Sequence, residues 1–189
     1  AAISHVVSVA AAISTARSWQ NWGMKRINLG NPRPRATPLG CSDVTYRVRG
    51  YRYLDVPHLK DGPSLWNVLE ARRSRVPEGP LEGERLSAFL WMCAKIRRQR
   101  RVAGGCTVSH RPAPSAGGLH PIDMLLIENP KRPMLAVYDA QSHVLCDLQI
   151  AGEASLTSLV TEANAAAQNV SGSIVLFAAN VDRTLAKYE

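Results

Sequence analysis

The sequence predicts an α+β protein, and three observations carry that reading. Leu86, Phe89, Leu90 and Cys93 recur at i, i+3, i+4 and i+7, as do Leu156, Leu159, Val160, Ala163 and Ala167 with one more turn, so two amphipathic helices are expected. Short apolar runs at Ile122–Glu128, Met134–Asp139, His143–Leu148 and Ile174–Ala179 are strand-length and flanked by turn residues. The middle pair is separated by Ala140-Gln141-Ser142 and reads as a hairpin, which makes the sheet at least partly antiparallel.

The order of elements begins with a basic arm. Residues 1–42 contain no Asp or Glu but carry Arg17, Lys25, Arg26, Arg33 and Arg35, in a chain of net charge +8. Val6, Val7, Ala10, Ile13 and Ala16 would share a face of a short helix. The acid-poor, Ala- and Ser-rich start has the composition of an organelle transit sequence, a mitochondrial one included. Residues 19–60 hold Pro32, Pro34 and Pro38 with no sustained period, apart from a weak strand signal at Tyr46, Val48, Tyr51 and Tyr53. The division expected is therefore a basic, acid-poor arm over 1–60 and a domain over 61–189. An irregular arm buries little apolar surface, so its order would call for a partner.

Asp61-Gly62-Pro63 opens a helix whose apolar face is Leu65, Trp66, Val68 and Leu69, ending before Pro77. The second helix starts near Leu81. Lys95–Arg101, KIRRQRR, places five cations at its expected C-terminus, where they would complement the dipole. As a functional alternative the run is a phosphate- or RNA-contacting strip, although no aromatic side chains interleave to stack bases. Ile174–Ala179 is expected as a buried strand because its apolar run is continuous.

With 46% hydrophobic residues the chain can build a core, resting on Leu, Val, Ile and Ala because aromatics are only 6%. No run of eighteen apolar residues exists, so no transmembrane span is expected. Cys41, Cys93, Cys106 and Cys146 form no C-x-x-C pair, which points to reduced thiols and away from zinc. His110, His120 and His143 lack metal-ligand spacing and read as structural, so no metal site is expected.

The chemistry-bearing stretch is Arg111–Pro121, RPAPSAGGLHP, leading into the strand at Ile122. Gly117 and Gly118 permit positive φ and close approach of backbone to a ligand, or simply a tight turn. The stretch is no nucleophile elbow, since Gly is missing two residues before Ser115. It is no P-loop, since a strand follows and no G-K-[ST] does.

This turn resembles the flavin-contacting turn of the nitroreductase superfamily, and its nearest branch is the SagB-type, azoline-oxidase-like one. The resemblance covers roughly Leu65 to Glu189. It takes in Arg72-Arg73-Ser74, the Leu86-to-Ala94 helix, Ala136-Val137-Tyr138-Asp139, His143-Val144-Leu145, Ile174–Ala179, Arg183 and Lys187-Tyr188. It implies a partial nitroreductase-like fold: a mostly antiparallel sheet flanked by helices, with an irregular N-terminal extension. It implies FMN as cofactor. Arg72, Arg73 and Ser74 would hold its phosphate, since guanidinium forks and a hydroxyl suit phosphate oxygens. Pro114, Ser115, Ala116, Gly117 and Gly118 would face the isoalloxazine ring. Lys187 and Tyr188 would be the catalytic, proton-handling pair.

Two departures shape the expectation. The family places a further Arg two residues after the Ser, where Val76 stands. The family also continues past the Lys-Tyr pair with a helix over the flavin and further strands, which leaves an open sheet edge here and invites a partner chain. The reading that follows is a nitroreductase-fold subunit with a structural role in a larger protein assembly or homodimer, its flavin site incomplete. The alternative is an FMN-dependent oxidoreductase, a dehydrogenase or nitroreductase working by hydride transfer, completed by another chain. A basic protein that contacts RNA or anionic lipid through its arm is a third.

Overall fold

In a computed structural model, the structure describes residues 33–37, 39–40, 43–58, 62–73, 79–102, 105–150, 152–166 and 172–188. Among the described residues seven strands and four α-helices follow in chain order: β1 (Val48–Tyr53), α1 (Leu65–Ala71), α2 (Gly83–Ala94), β2 (Arg98–Arg101), β3 (Thr107–His110), β4 (Ile122–Ile127), β5 (Leu135–Asp139), β6 (Val144–Leu148), α3 (Glu153–Ala166), β7 (Ile174–Ala179) and α4 (Val181–Leu185). Five strands form one sheet in the order β1-β6-β5-β4-β7, every neighbour antiparallel, and β2-β3 form a separate two-stranded ribbon. The α+β class, with an antiparallel sheet flanked by helices, holds.

Period-2 alternation sends side chains of the same strands into two cores. Leu86, Leu90 and Ala94 of α2 pack with Leu126, Ala136, Tyr138 and Leu145 on one face. Leu156, Leu159 and Val160 of α3 pack with Leu125, Val137 and Cys146 on the other. Strands β5 and β6 are covered on both faces, which is why their sequences run apolar without a break. Each fully buried Leu or Ile here contributes roughly 1.5–3 kcal/mol over leaving it in water.

His143 locks the β5–β6 turn to α2. It sits at φ +59 and is buried. Its Nε2 lies 2.9 Å from Ser87 Oγ and 3.3 Å from the Asp55 carbonyl, and its Nδ1 lies 2.7 Å from Tyr138 Oη. A carbonyl only accepts, so Nε2 carries the proton and Nδ1 accepts from the tyrosine. The structural role expected of this histidine is the one it has.

Several elements differ from expectation. The first helix starts at Leu65 with Ser64 as its cap, the hydroxyl accepting from Asn67 N at 3.2 Å. Its apolar side chains do not face the core: Leu65, Trp66, Val68 and Leu69 are 45% to 74% exposed. The run KIRRQRR is not a helix end. α2 stops at Ala94, and Arg98–Arg101 is an exposed strand paired with β3, with Gly105 at φ +76 in the connection between them. Strand β7 is an edge strand, not a buried one: it pairs with β4 alone among the described residues, and Phe177 is 68% exposed. Cys106 is buried and disulfide-bonded rather than reduced, while Cys93 and Cys146 are free.

The segment expected as an arm contributes β1, which pairs along β6 from Val48 to Tyr53. Arg52 ties this strand in through Asp147 at 2.8 Å and through Glu128. Farther upstream, Arg35 N donates to Lys187 O at 2.8 Å and Leu39 N to Ala186 O at 2.9 Å. These ties are made by the chain to itself. The helix expected over residues 6–16 lies outside the described residues.

Candidate functional site

The turn is built by its own serine. Ser115 O accepts from Gly118 N at 3.1 Å, and Ser115 Oγ accepts from His120 N at 2.8 Å. Between them, residues Ala116–Gly118 make one tight 3₁₀ turn in which Gly117 has φ +62 and Gly118 φ +72. Side-chain-bearing L-residues are strained in that region, so these two glycines are required by the backbone. His120, at φ +46, follows them into the same region and turns the chain into β4. Its Nε2 donates to Ser109 O at 3.0 Å, which fixes the turn against β3. Burial first, and then the Arg111 charge, hold this imidazole below its ordinary pKa.

Arg183 fastens α4 to the same turn. Its Nη1 donates to His120 O at 3.1 Å and to Asp123 Oδ1 at 2.7 Å, and its Nε to Asp43 Oδ1 at 2.7 Å. Asp123 also accepts from Tyr46 Oη at 3.1 Å. Burial alone would lower the guanidinium's pKa, but the hydrogen bonds to Asp43 and Asp123 hold it raised. The helix it anchors carries Lys187 and Tyr188 back over the turn. An ideal Cβ on Gly117 would stand 2.7 Å from Tyr188 Oη and in contact with Lys187 Nζ. The Lys187 ammonium lies 5.5 Å from the Tyr188 ring centroid.

The structure thus brings together two of the three groups of residues that the sequence singles out. Pro114, Ser115, Gly117 and Gly118 line a cavity of about 750 Å³, with Ala116 inside the turn beside it. Lys187 and Tyr188 rest on Gly117. The phosphate group of residues does not join them. Arg72 and Arg73 stand exposed at the end of α1, where Arg73 Nη1 donates to Glu70 O at 2.8 Å and Arg72 O at 2.9 Å. Neither lines the cavity. Ser74 lies outside the described residues.

Two arginines that the sequence reading assigned to a helix end do line it: Arg98 and Arg100 of the ribbon. The missed signal was the glycine pair between the basic run and T-V-S-H, a turn that can join two short strands. The tie made by Arg183 was also missed, since nothing in the chain order announces a partner at Asp123.

Whether these residues fit a flavin mononucleotide turns on Gly117 and Gly118. The face of Gly117 is filled by Lys187 and Tyr188, and that of Gly118 by Ser109 O at 3.2 Å and Val108 Cβ at 3.4 Å from an ideal Cβ. The Gly118 and His120 N–H groups are spent inside the turn. A flat ring stacked on Gly117 would have to displace both the lysine and the tyrosine. In this arrangement the turn, the pair and Arg72-Arg73 do not together make a flavin cradle.

Among the described residues no group of His, Cys, Asp and Glu has metal-holding geometry, and no helix is long and apolar enough to cross a membrane. Neither a protein-family model nor a curated protein matches the chain. Two solved structures resemble it at a distance. One is a Ralstonia eutropha protein described as a nitroreductase, 23% identical over 82% of this chain and 67% of that one, with a TM-score of 0.47. The other, from Anabaena variabilis and described in the same way, is 22% identical over 65% of this chain and 23% of that one, with a TM-score of 0.36.

Proposed function

We propose that this chain is a nitroreductase-like subunit with a structural role in a larger protein assembly, its flavin site incomplete. The observation that carries the proposal is the contact at Gly117. The glycine face that a flavin ring would need is occupied by the chain's own Lys187 and Tyr188. The exposed apolar surfaces support the assembly part. A seven-residue helix with no buried side chain is marginal in water by itself, and Trp66 and Leu69 on it are largely exposed. Phe177 on the edge strand, with Ile122, Val181 and Leu185, adds a second exposed apolar group. Such surfaces fit another protein chain.

The nearness of Lys187 and Tyr188 to the glycine turn supports one other reading, an FMN-dependent oxidoreductase of the SagB type completed by a second chain. There Lys187 and Tyr188, held on the turn by Arg183, would be the proton-handling pair, swung clear of Gly117 when the site is completed.

Titration of the full chain with FMN tests the two. The structural reading expects no change in the flavin's visible spectrum or fluorescence at micromolar protein and FMN. Stoichiometric binding with a perturbed ring spectrum would overturn it in favour of the second.

A further inference from the structure

Beside the glycine turn lies a cavity whose charged lining is all of one sign. Arg98, Arg100 and Arg111 line it with His110 and His120, and among the described residues no Asp or Glu does. Arg98 and Arg100 sit two apart on β2, so they share one face of the ribbon, opposite His110 and Val108 of β3. Among the described residues neither has a side-chain hydrogen bond or salt bridge, and both are exposed. Arg111 is half-buried, makes one hydrogen bond, from Nε to Ser109 Oγ at 3.3 Å, and has no ion pair. Asp123 and Asp139 act on it electrostatically and line a neighbouring cavity that Arg100 and Arg111 also border, where Asp123 is already bound to Arg183. Burial, and then the Arg183 charge, disfavour its cationic form.

Three guanidinium groups without carboxylates, around one cleft of about 750 Å³, form an anion site in want of its anion. Pro112, Ala113, Pro114 and Val108 add apolar surface to the same lining. The volume is that of a small-ligand pocket. The geometry points to a site between the β2–β3 ribbon and the glycine turn that binds a small phosphomonoester, its phosphate on Arg98, Arg100 and Arg111 and its apolar body against Pro112–Pro114. A dianion matches the excess of arginines better than a single carboxylate does. A nucleic-acid strand fits less well, because no aromatic side chain lines the cleft for bases to stack on. The site shares its cavity with Pro114, Ser115, Gly117 and Gly118 of the glycine turn, but none of its three arginines belongs to the residues implied for a flavin.

Phenyl phosphate is the probe. Calorimetric titration of the full chain at low salt should show saturable binding of phenyl phosphate and none of phenol. Arg98→Ala and Arg100→Ala, both at exposed positions, should each weaken binding about tenfold. Arg101→Ala is the control, because Arg101 carries the same charge on the same strand but does not line the cleft. It should leave binding unchanged. The proposal is overturned if phenyl phosphate fails to bind at millimolar concentration, or if Arg101→Ala costs as much as the other two. It is also overturned if a uridylate oligonucleotide binds more tightly than phenyl phosphate and responds equally to all three substitutions, which would make the ribbon a polymer-binding surface.

Discussion

Gly117 and Tyr188 are far apart in the chain and touch in the fold, the tyrosine oxygen standing 2.7 Å from where a Cβ on Gly117 would be. This contact is made possible by two features acting together. Gly117 takes φ +62 without strain, and Arg183 draws α4 onto the turn through His120 O and Asp123. The position therefore tolerates nothing larger than glycine without cost. Gly117→Ala is expected to destabilise the protein by about 1–2 kcal/mol, most of it from the left-handed backbone and the rest from pushing Lys187 aside. Urea unfolding of the two proteins checks this. An unchanged midpoint would mean that the turn is looser than described.

The two carboxylates on Arg183 are not equivalent. Asp123 and Arg183 are 13% and 17% exposed in their side chains, whereas Asp43 is 72% exposed. Removing the buried partner leaves an uncompensated guanidinium, so Asp123→Asn is expected to cost about 3 kcal/mol. Asp43→Asn should cost under about 1 kcal/mol, because water screens that pair. Denaturant unfolding of the two variants measures the contrast, and equal losses would contradict the burial argument.

Acid should loosen the fold through two buried histidines. His143 and His120 are both held below the ordinary value of 6.5, chiefly by burial. Each is neutral in the folded chain at a pH where the unfolded chain already binds a proton. Their stabilisation is complete above pH 6.5 and is lost as the pH falls from there through the folded values. Stability should thus decline between pH 6.5 and 5, by at most about 1.4 kcal/mol per pH unit for each imidazole. His143→Asn, a residue that accepts positive φ, should flatten that slope while lowering stability at pH 7.5. Chemical denaturation at a series of pH values decides it. A flat profile in the parent protein would show that neither ring is kept neutral.

What could be read from the chain, and what could not, follows from which interactions are local. The strands at Ile122, Leu135 and Val144 and the faces of α2 and α3 were legible, because apolar period reports burial directly. The α1 face was misjudged for the same reason: Leu65, Trp66, Val68 and Leu69 have the period of a core face yet remain exposed. Period says that a face seeks cover and not where the cover comes from. Strand β2 was misread because KIRRQRR has no apolar alternation to mark a strand, and only the turn after it allows the pairing. In the candidate site, the glycine turn and Lys187-Tyr188 were found as separate motifs. Their meeting, and the company of Arg98 and Arg100, depend on contacts between distant segments that no local pattern encodes. Arg72-Arg73 carried a motif's residues without reaching the site, since Arg73 spends its guanidinium on the carbonyls of its own helix end.

The account rests most on the claim that this chain works as a component whose glycine turn is already filled. Native mass measurement of the purified full chain reads both halves of that claim at once. The expected result is the chain in association with further protein chains and with no bound flavin. A lone monomer carrying one FMN would contradict it.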